Sequence, residues 1–152
     1  MKRIIVAVIA LTCLLALVGC NNKTVSIDLP FEVEDIDNVE MYHYSEDDLS
    51  AEKKIIDTEG AIKGLYNALE DVPLKQKSTK KTAQKTVTSF RFNLSDGTSY
   101  ELIYSCYGVK TGILESPTGN FEYFTISDIG SYWNDIGKEF EAVSVDKSEL
   151  PK

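Results

Sequence analysis

Residues Phe90 to Tyr104, FRFNLSDGTSYELIY, contain two alternating apolar runs on either side of one turn. Alternation is the pattern of a strand with one buried face, and Asp-Gly between two such runs is a strong hairpin signal. Side chains of a strand alternate between its faces, so a shift of one residue in the pairing moves every apolar side chain to the other face. The length of the turn therefore decides which fold this segment can join.

Two turn lengths are compatible with these residues. A two-residue type I′ turn pairs Phe92 with Glu101 and leaves both faces mixed. A three-residue turn pairs Phe92 with Tyr100 and Arg91 with Glu101, so that one face is apolar and the other carries an ion pair. We therefore predict the three-residue turn, with Gly97 in the left-handed conformation of a G1 bulge. The apolar face then requires a covering layer.

A helix predicted from Thr58 to Val72 can supply that layer. Asp57 or Thr58 can cap it, and Pro73 ends it. Spacings of three, four and three residues place one apolar stripe on the helix: Ile62, Leu65, Leu69 and Val72. Two glycines lower the intrinsic stability of this helix, so we expect its stability to come from packing on the hairpin.

Shorter patterns predict the remaining elements of the domain. The predicted strands lie within Val25–Val33 and at Val39–Tyr44, Lys54–Asp57, Val109–Glu115 and Phe121–Ile126. The register of the last two is left open, and Ser127 is predicted to cap a short helix with Ile129, Tyr132, Trp133 and Ile136. The prediction is an α+β fold over residues 25–143, a twisted antiparallel sheet of hairpins with the main helix and a short C-terminal helix packed on one face. Residues 144–152 are expected to be a frayed polar tail.

The first twenty residues carry a targeting pattern. Lys2 and Arg3 precede an uncharged apolar run, Ile4–Val18, which is shorter than the roughly 20 residues that a spanning helix needs. The run ends in Leu17-Val18-Gly19-Cys20, which resembles the lipobox of bacterial lipoprotein signal peptides. The resemblance implies a signal peptide at 1–19, cleavage after Gly19, a diacylglycerol on Cys20 and a short tether at 20–24. It also implies a location on the extracytoplasmic face of the cell membrane, in the style of Gram-positive lipoproteins.

Charge and cysteine content narrow the function classes. Without residues 1–19 the chain keeps 14 basic and 24 acidic residues, a net charge of −10, which argues against nucleic-acid binding. Cys13 would leave with the signal and Cys20 would be acylated, so Cys106 is left without a disulfide partner. Cys106 lies in an aromatic-rich strand and is interpreted as a small buried hydrophobe.

Candidates for catalysis or metal binding are weak. His43 is the only histidine; it could serve Cys106 as a base, but we expect a solvated or edge-strand histidine. One histidine and one thiol cannot build a zinc site. Calcium candidates exist by composition only, without the spacing of a calcium loop: Glu32, Glu34, Asp35 and Asp37, or Glu46, Asp47 and Asp48. We predict no catalytic residue, no metal and no cofactor.

Five lysines crowd one predicted loop of this acidic domain: Lys75, Lys77, Lys80, Lys81 and Lys85. A solvated loop is one interpretation. The other is a contact with an anionic surface, such as lipid headgroups, teichoic-acid phosphates or an acidic partner.

Three phrases of the domain carry a second resemblance: LPFEVEDIDNVEMY, SFRFNLSDGTSYELIY and FEYFTISDIGSYWN. They resemble a family of small lipid-anchored or secreted Gram-positive proteins whose domain has no known function. The resemblance covers Leu29 to Pro151 and implies an α+β fold and an envelope location without implying any activity.

These observations predict a lipid-anchored, non-catalytic binding or sensing module. Its partners would be the membrane, through Cys20, and a protein or cell-wall polymer. The alternatives are a small cell-envelope enzyme that uses Cys106 or paired carboxylates, and an inhibitory lipoprotein that covers a partner's site.

Overall fold

The computed structural model describes residues 24–76, 85–108 and 110–151. The predicted signal peptide, Cys20 and three of the five lysines, Lys77, Lys80 and Lys81, lie outside the described residues.

Within those ranges the chain forms an antiparallel sheet with two short α-helices, which confirms the α+β class. The strands are β1 (Thr24–Val25), β2 (Ile36–Ser45), β3 (Ser50–Ile56), β4 (Leu74–Lys75), β5 (Thr86–Leu94), β6 (Ser99–Cys106), β7 (Gly112–Ser116), β8 (Phe121–Thr125) and β9 (Val143–Asp146). The helices are α1 (Glu59–Glu70) and α2 (Tyr132–Asp135), with 3-10 turns at Val33–Asp35, Ile129–Ser131, Gly137–Glu139 and Lys147–Glu149. The strand order is β1-β4-β8-β7-β6-β5-β2-β3-β9. The twist of the sheet stays a prediction.

The β5–β6 hairpin has the predicted register, which places apolar side chains on one face and polar side chains on the other. Phe92 pairs with Tyr100, and Arg91 pairs with Glu101, whose carboxylate accepts a 3.0 Å hydrogen bond from the guanidinium. Gly97 has a φ of 82° and donates its N–H to the carbonyl of Leu94 at 2.9 Å. The three-residue turn and the left-handed glycine are therefore confirmed.

Helix α1 covers the apolar face of this hairpin. Thr58 is its N-cap residue, although its side chain accepts no capping hydrogen bond. The helix buries Ile62, Leu65, Tyr66 and Leu69. These side chains share one hydrophobic cluster with Trp133 of α2, with Ile129 of the preceding 3-10 turn, and with four hairpin residues: Phe90, Phe92, Tyr100 and Leu102. Both helices thus contribute to the same core, as predicted.

The strand predicted within Val25–Val33 exists only as the short β1 at one edge of the sheet. Only Thr24–Val25 belongs to the sheet, and a 3-10 turn begins at Val33. The alternation is real, because Ile27, Leu29 and Phe31 are buried in the main core. However, the intervening Pro30 has no N–H to give to a ladder, and the carbonyl of Phe31 accepts its hydrogen bond from the Tyr66 hydroxyl at 2.9 Å.

Over residues 144–151, the part that the structure describes, the predicted frayed tail is wrong. Val143–Asp146 forms β9 and pairs antiparallel with β3, with Val145 opposite Ala51. Beyond it, Leu150 is buried against Tyr42 and Ala51. The few apolar residues of this segment form no periodic pattern that would predict a strand. Their burial comes from partners roughly a hundred residues earlier in the chain.

The second hairpin and the last helix differ from prediction at their ends. Strand β7 begins at Gly112 rather than at residue 109, and its register places Glu115 opposite Glu122. The C-terminal helix exists, but Ser127 does not cap it. Asp128 is the N-cap residue of the 3-10 turn that leads into α2.

Candidate functional site

Of the two described lysines of the predicted anionic-surface contact, Lys85 is already paired within the domain. Lys75 is half-buried in β4. The Lys85 ammonium forms a 2.7 Å ion pair with Glu46 and lies 5.7 Å from the centre of the Tyr107 ring. The hydrogen bond with Glu46 raises the pKa of Lys85, so this side chain is held by its own domain. In the part of the chain that the structure describes, the helices lack the length and apolar character needed to cross a membrane.

His43 is half-buried and lies on an interior strand, so the prediction of an edge-strand position is wrong. Strand β2 lies between β5 and β3. The imidazole Nδ1 and the Thr88 hydroxyl are hydrogen-bonded at 2.9 Å, and the ring stacks on Trp133 with centroids 5.4 Å apart. Burial lowers the pKa of His43 below its ordinary value, which favours a neutral imidazole. Trp133 has a second polar neighbour, because the Lys54 ammonium lies 4.3 Å from its ring centre and donates to its carbonyl at 3.1 Å.

Cys106 and His43 do not form a catalytic pair. Strand β5 separates β2 from β6, and Cys106 lies two residues beyond the position aligned with His43. With strands about 4.8 Å apart and a rise of about 3.4 Å per residue, their Cα atoms are roughly 12 Å apart, too far for a hydrogen bond. The thiol is half-buried rather than buried, and its Sγ donates to the carbonyl of Gly108 at 2.9 Å.

The second predicted acidic set stabilises a turn. Glu46 pairs with Lys85, and a carboxylate oxygen of Asp48 accepts the N–H of Ser45 at 2.7 Å. Both contacts hold the connection between β2 and β3. Over residues 24–76, 85–108 and 110–151, no group of three or more histidine, cysteine or acidic side chains is placed to hold a metal ion.

The first predicted acidic set divides between a turn and a cavity. Asp35 accepts the N–H of Glu32 at 3.1 Å and closes the 3-10 turn. Glu34 and Asp37 instead line a cavity of about 370 Å³ between this turn, the start of β2 and the start of α1. The lining side chains are three aliphatic, four acidic and one basic: Val33, Ile36, Ile62, Glu34, Asp37, Asp57, Glu59 and Lys63.

The two segments that flank the β2–β3 hairpin build this cavity. Strands β2 and β3 pair antiparallel, with Val39 opposite Ile56, so the residues just before β2 and just after β3 meet at one end of the sheet. Acidic residues suit this place because the N-terminus of a helix attracts negative charge, and Glu59 is in the first turn of α1. Ile36 and Ile62 are buried and connect the cavity to the main core.

The composition of the cavity favours a cationic ligand. Four carboxylates against one ammonium leave an excess of negative charge, and the aliphatic side chains offer contact to a short apolar stem. The volume lies within the roughly 300–1,000 Å³ that small-molecule and side-chain pockets occupy. From sequence, Glu34 and Asp37 belong to one acidic set, but nothing indicates that Asp57 and Glu59 join them in a shared site.

Comparison with known proteins finds no counterpart for this arrangement. The chain matches no protein-family model, and it has no match among curated proteins or solved structures.

Proposed function

We propose that the protein is a lipid-anchored binding or sensing module on the extracytoplasmic face of the cell membrane, and that it recognises a cationic group of a protein or cell-wall polymer. The lipobox pattern supports the location, and the acidic cavity beside α1 supports the recognition. The module acts by binding rather than by catalysis. The enzyme and the inhibitory lipoprotein stay alternative predictions.

The anchor rests on Cys20. One acyl chain gives only marginal membrane binding, whereas two give stable anchoring because each buried CH₂ contributes about 0.8 kcal/mol. Replacing Cys20 with Ala should move the protein from the membrane fraction to the medium or leave it unprocessed. The matched control is Cys106→Ala, which should stay on the membrane. Equal retention of both variants at the processed mass would contradict the lipobox interpretation.

The single observation that carries the recognition is the cavity of about 370 Å³, with aliphatic and acidic side chains on its walls. A primary amine on a short alkyl stem fits both features. The stem contacts Ile36 and Ile62, and the ammonium approaches Glu34 and Asp37. Lysine side chains and amine-bearing polymers present this chemistry, so a protein or wall-polymer partner is compatible with the site.

Three ligands with the same stem test this recognition. Hexylamine, hexanol and hexanoate are titrated into the full-length protein in detergent micelles, and amide chemical shifts are followed by NMR. Hexylamine should shift the amides of Ile36, Ile62 and Glu59, hexanol should bind more weakly, and hexanoate should not bind. Equal binding of all three, or shifts elsewhere, would overturn the proposal.

Two variants separate the charge of the cavity from the charge of the whole domain. The double change Glu34→Gln and Asp37→Asn should weaken hexylamine binding at least tenfold, because both carboxylates line the cavity. Glu122→Gln also removes negative charge, at an exposed position in β8 outside the cavity, and should leave binding nearly unchanged. Equal losses in the two proteins would show only non-specific charge attraction.

The lysine-rich connection is proposed to bias orientation toward an anionic surface. Juxtamembrane basic residues contribute about 1 kcal/mol each at low ionic strength and less once screened. Because Lys85 is paired with Glu46, the contribution should come mainly from the other four. The soluble domain, made without residues 1–20, should bind anionic vesicles weakly and in a salt-sensitive way, and changing Lys75, Lys77, Lys80, Lys81 and Lys85 to Gln should abolish that binding. Equal vesicle binding by the proteins with and without the five changes would favour the interpretation of a solvated loop.

A further inference from the structure

The C-terminal segment, residues 143–151, is a structural unit separate from the main core. Its strand, β9, pairs only with β3 at one edge of the sheet. The main hydrophobic cluster contains none of its residues. Its apolar contacts belong to a second, smaller cluster in which Leu150 packs against Tyr42 and Ala51. Removing the segment would therefore leave the other strands and the main core packed.

The segment lies against a surface that we call the cradle, formed by Tyr42, Ala51, Lys53 and Arg91. Leu150 is 8% exposed. The Arg91 guanidinium donates to the carbonyl of Glu149 at 3.0 Å, and the Lys53 ammonium lies 3.5 Å from the Glu149 carboxylate. Lys147 of the segment donates to the carbonyls of Ser45 and Glu46 at 3.3 and 3.0 Å. The domain therefore binds the segment through its backbone as well as through its side chains.

The cradle is organised by contacts of its own. The Arg91 Nε donates to Glu101 at 3.0 Å, and Nη1 donates to Glu40 at 3.0 Å. Lys53 lies 3.5 Å from the other oxygen of Glu40. The two cations therefore keep carboxylate partners within strands β2 and β6 when the segment is absent. A cradle held in this way can receive the same segment from another molecule.

The connector to the segment is short and exposed. Phe140 packs on the main cluster, whereas Glu141 and Ala142 are exposed and lead directly into β9. Three of the four residues of β9 are exposed as well. A terminal strand that joins the core through a short exposed connector is well suited to exchange between identical chains, because the interactions it makes within one molecule form again, unchanged, in the other.

We propose that residues 143–151 exchange between two copies of this chain, each copy placing its segment in the cradle of the other to form a two-fold dimer. The occupant is a second copy because its segment supplies the same Glu149 carbonyl, Glu149 carboxylate and Leu150 side chain that the cradle already binds. This exchange does not depend on the ligand of the acidic cavity.

Cysteine trapping tests the exchange in the full-length protein. Glu52 and Ser144 are directly opposed in the β3–β9 ladder. Opposed Cα atoms in antiparallel strands are about 4.5–5.5 Å apart, which a disulfide can bridge. Two differently tagged copies, one with Glu52→Cys and one with Ser144→Cys, both in a Cys106→Ser background, are co-expressed and oxidised. Only exchange brings these two thiols together between molecules.

The control replaces the Glu52→Cys copy by a Leu49→Cys copy. Leu49 is 96% exposed and lies outside β3, so its thiol reports random collision. The mixed disulfide of the Glu52 and Ser144 copies should exceed the collisional product at least tenfold. Inserting Gly-Ser-Gly between Glu141 and Ala142 should lower that yield several-fold, because a longer connector favours closure within one chain. A yield equal to the control would overturn the proposal.

Hydrogen exchange of the unmodified protein gives a second measurement that needs no variant. Exchange of the segment requires it to open without global unfolding. The amides of β9 that bond to β3 should therefore exchange at least a hundredfold faster than those in the centre of β5. Equal rates in β9 and β5 would also overturn the proposal.

Discussion

Gly112 offers a direct test of the packing between β6 and β7. A Cβ atom added to Gly112 would lie 2.5 Å from the carbonyl oxygen of Ser105 and 2.5 Å from Cε2 of the Tyr104 ring. Tyr104 is fully buried, so its ring has no solvent-exposed space into which it can move. One of the contacting atoms belongs to the backbone of the neighbouring strand, so the ladder itself would have to shift.

The expected cost follows from that overlap. Overpacking of a filled interior typically costs about 1–3 kcal/mol, and a displacement that involves backbone should reach the upper part of that range, about 2–3 kcal/mol. Gly64 provides the matched control, because a Cβ added there meets nothing within 4 Å. Gly64 lies inside α1, where alanine is favoured over glycine by roughly 0.5–1 kcal/mol. The same substitution should therefore have opposite signs at the two positions.

Chemical denaturation measures both effects. Trp133, the single tryptophan of the chain, is 6% exposed and lies in the main core, so its fluorescence follows unfolding of the domain. Gly112→Ala and Gly64→Ala should differ in unfolding free energy by about 3 kcal/mol, or roughly 10 °C in midpoint temperature. A Gly112→Ala protein as stable as the unmodified protein would refute the packing derived for Tyr104.

Three further predictions use other parts of the fold. Gly97→Val should lower the unfolding free energy by about 1–2 kcal/mol in denaturation experiments, because Gly97 has a positive φ; Gly97→Asn should cost less than half of that. Tyr66→Phe should cost about 1–3 kcal/mol by the same assay, because it leaves the buried carbonyl of Phe31 without its 2.9 Å hydrogen bond; an unchanged midpoint would contradict this role. Burial lowers the pKa of His43, so the folded state binds fewer protons than the unfolded state, and stability should fall as the pH drops below about 6.5. His43→Asn should show a shallower fall between pH 7.5 and 5.5; identical pH profiles would rule His43 out as the cause.

The β5–β6 hairpin and α1 could be predicted from sequence because the information is local. In the hairpin, only one turn length pairs Phe92 with Tyr100 and Arg91 with Glu101, and the structure has that register. In the helix, Ile62, Leu65 and Leu69 share one face by spacing alone and are buried together. Both elements also supply each other's covering layer, so two local signals agree on one core.

The errors concern residues whose environment is set by distant partners. His43 stacks on Trp133, ninety positions later in the chain, and this contact depends on the place of β2 in the sheet. The C-terminal segment appears polar, yet Leu150 is buried because Tyr42 and Ala51 form its cradle. Periodicity within a window of ten residues contains no information about either contact.

The candidate cavity could be predicted in its composition but not in its geometry. Glu34 and Asp37 were recognised as part of an acidic segment and assigned, at most, to calcium. Asp57 was considered only as the end of a predicted strand and as a helix cap, and Glu59 was not singled out. The antiparallel pairing of β2 with β3 brings the two pairs to the same cavity, and the acidic residues themselves indicate neither the register of that hairpin nor the position of α1 beside it.

The strand order has a mechanical consequence. Strands β1 and β9 are the two opposite edges of the sheet, so eight strand spacings, about 38 Å, separate the first and last strands. Strand β1 contains only two residues and is held to β4 by the pairs Thr24–Lys75 and Val25–Leu74. A load applied through the chain before Thr24 would peel this strand one pair at a time instead of shearing a long ladder. The first extension under force would therefore lengthen the chain that precedes the main core while the core itself stays folded.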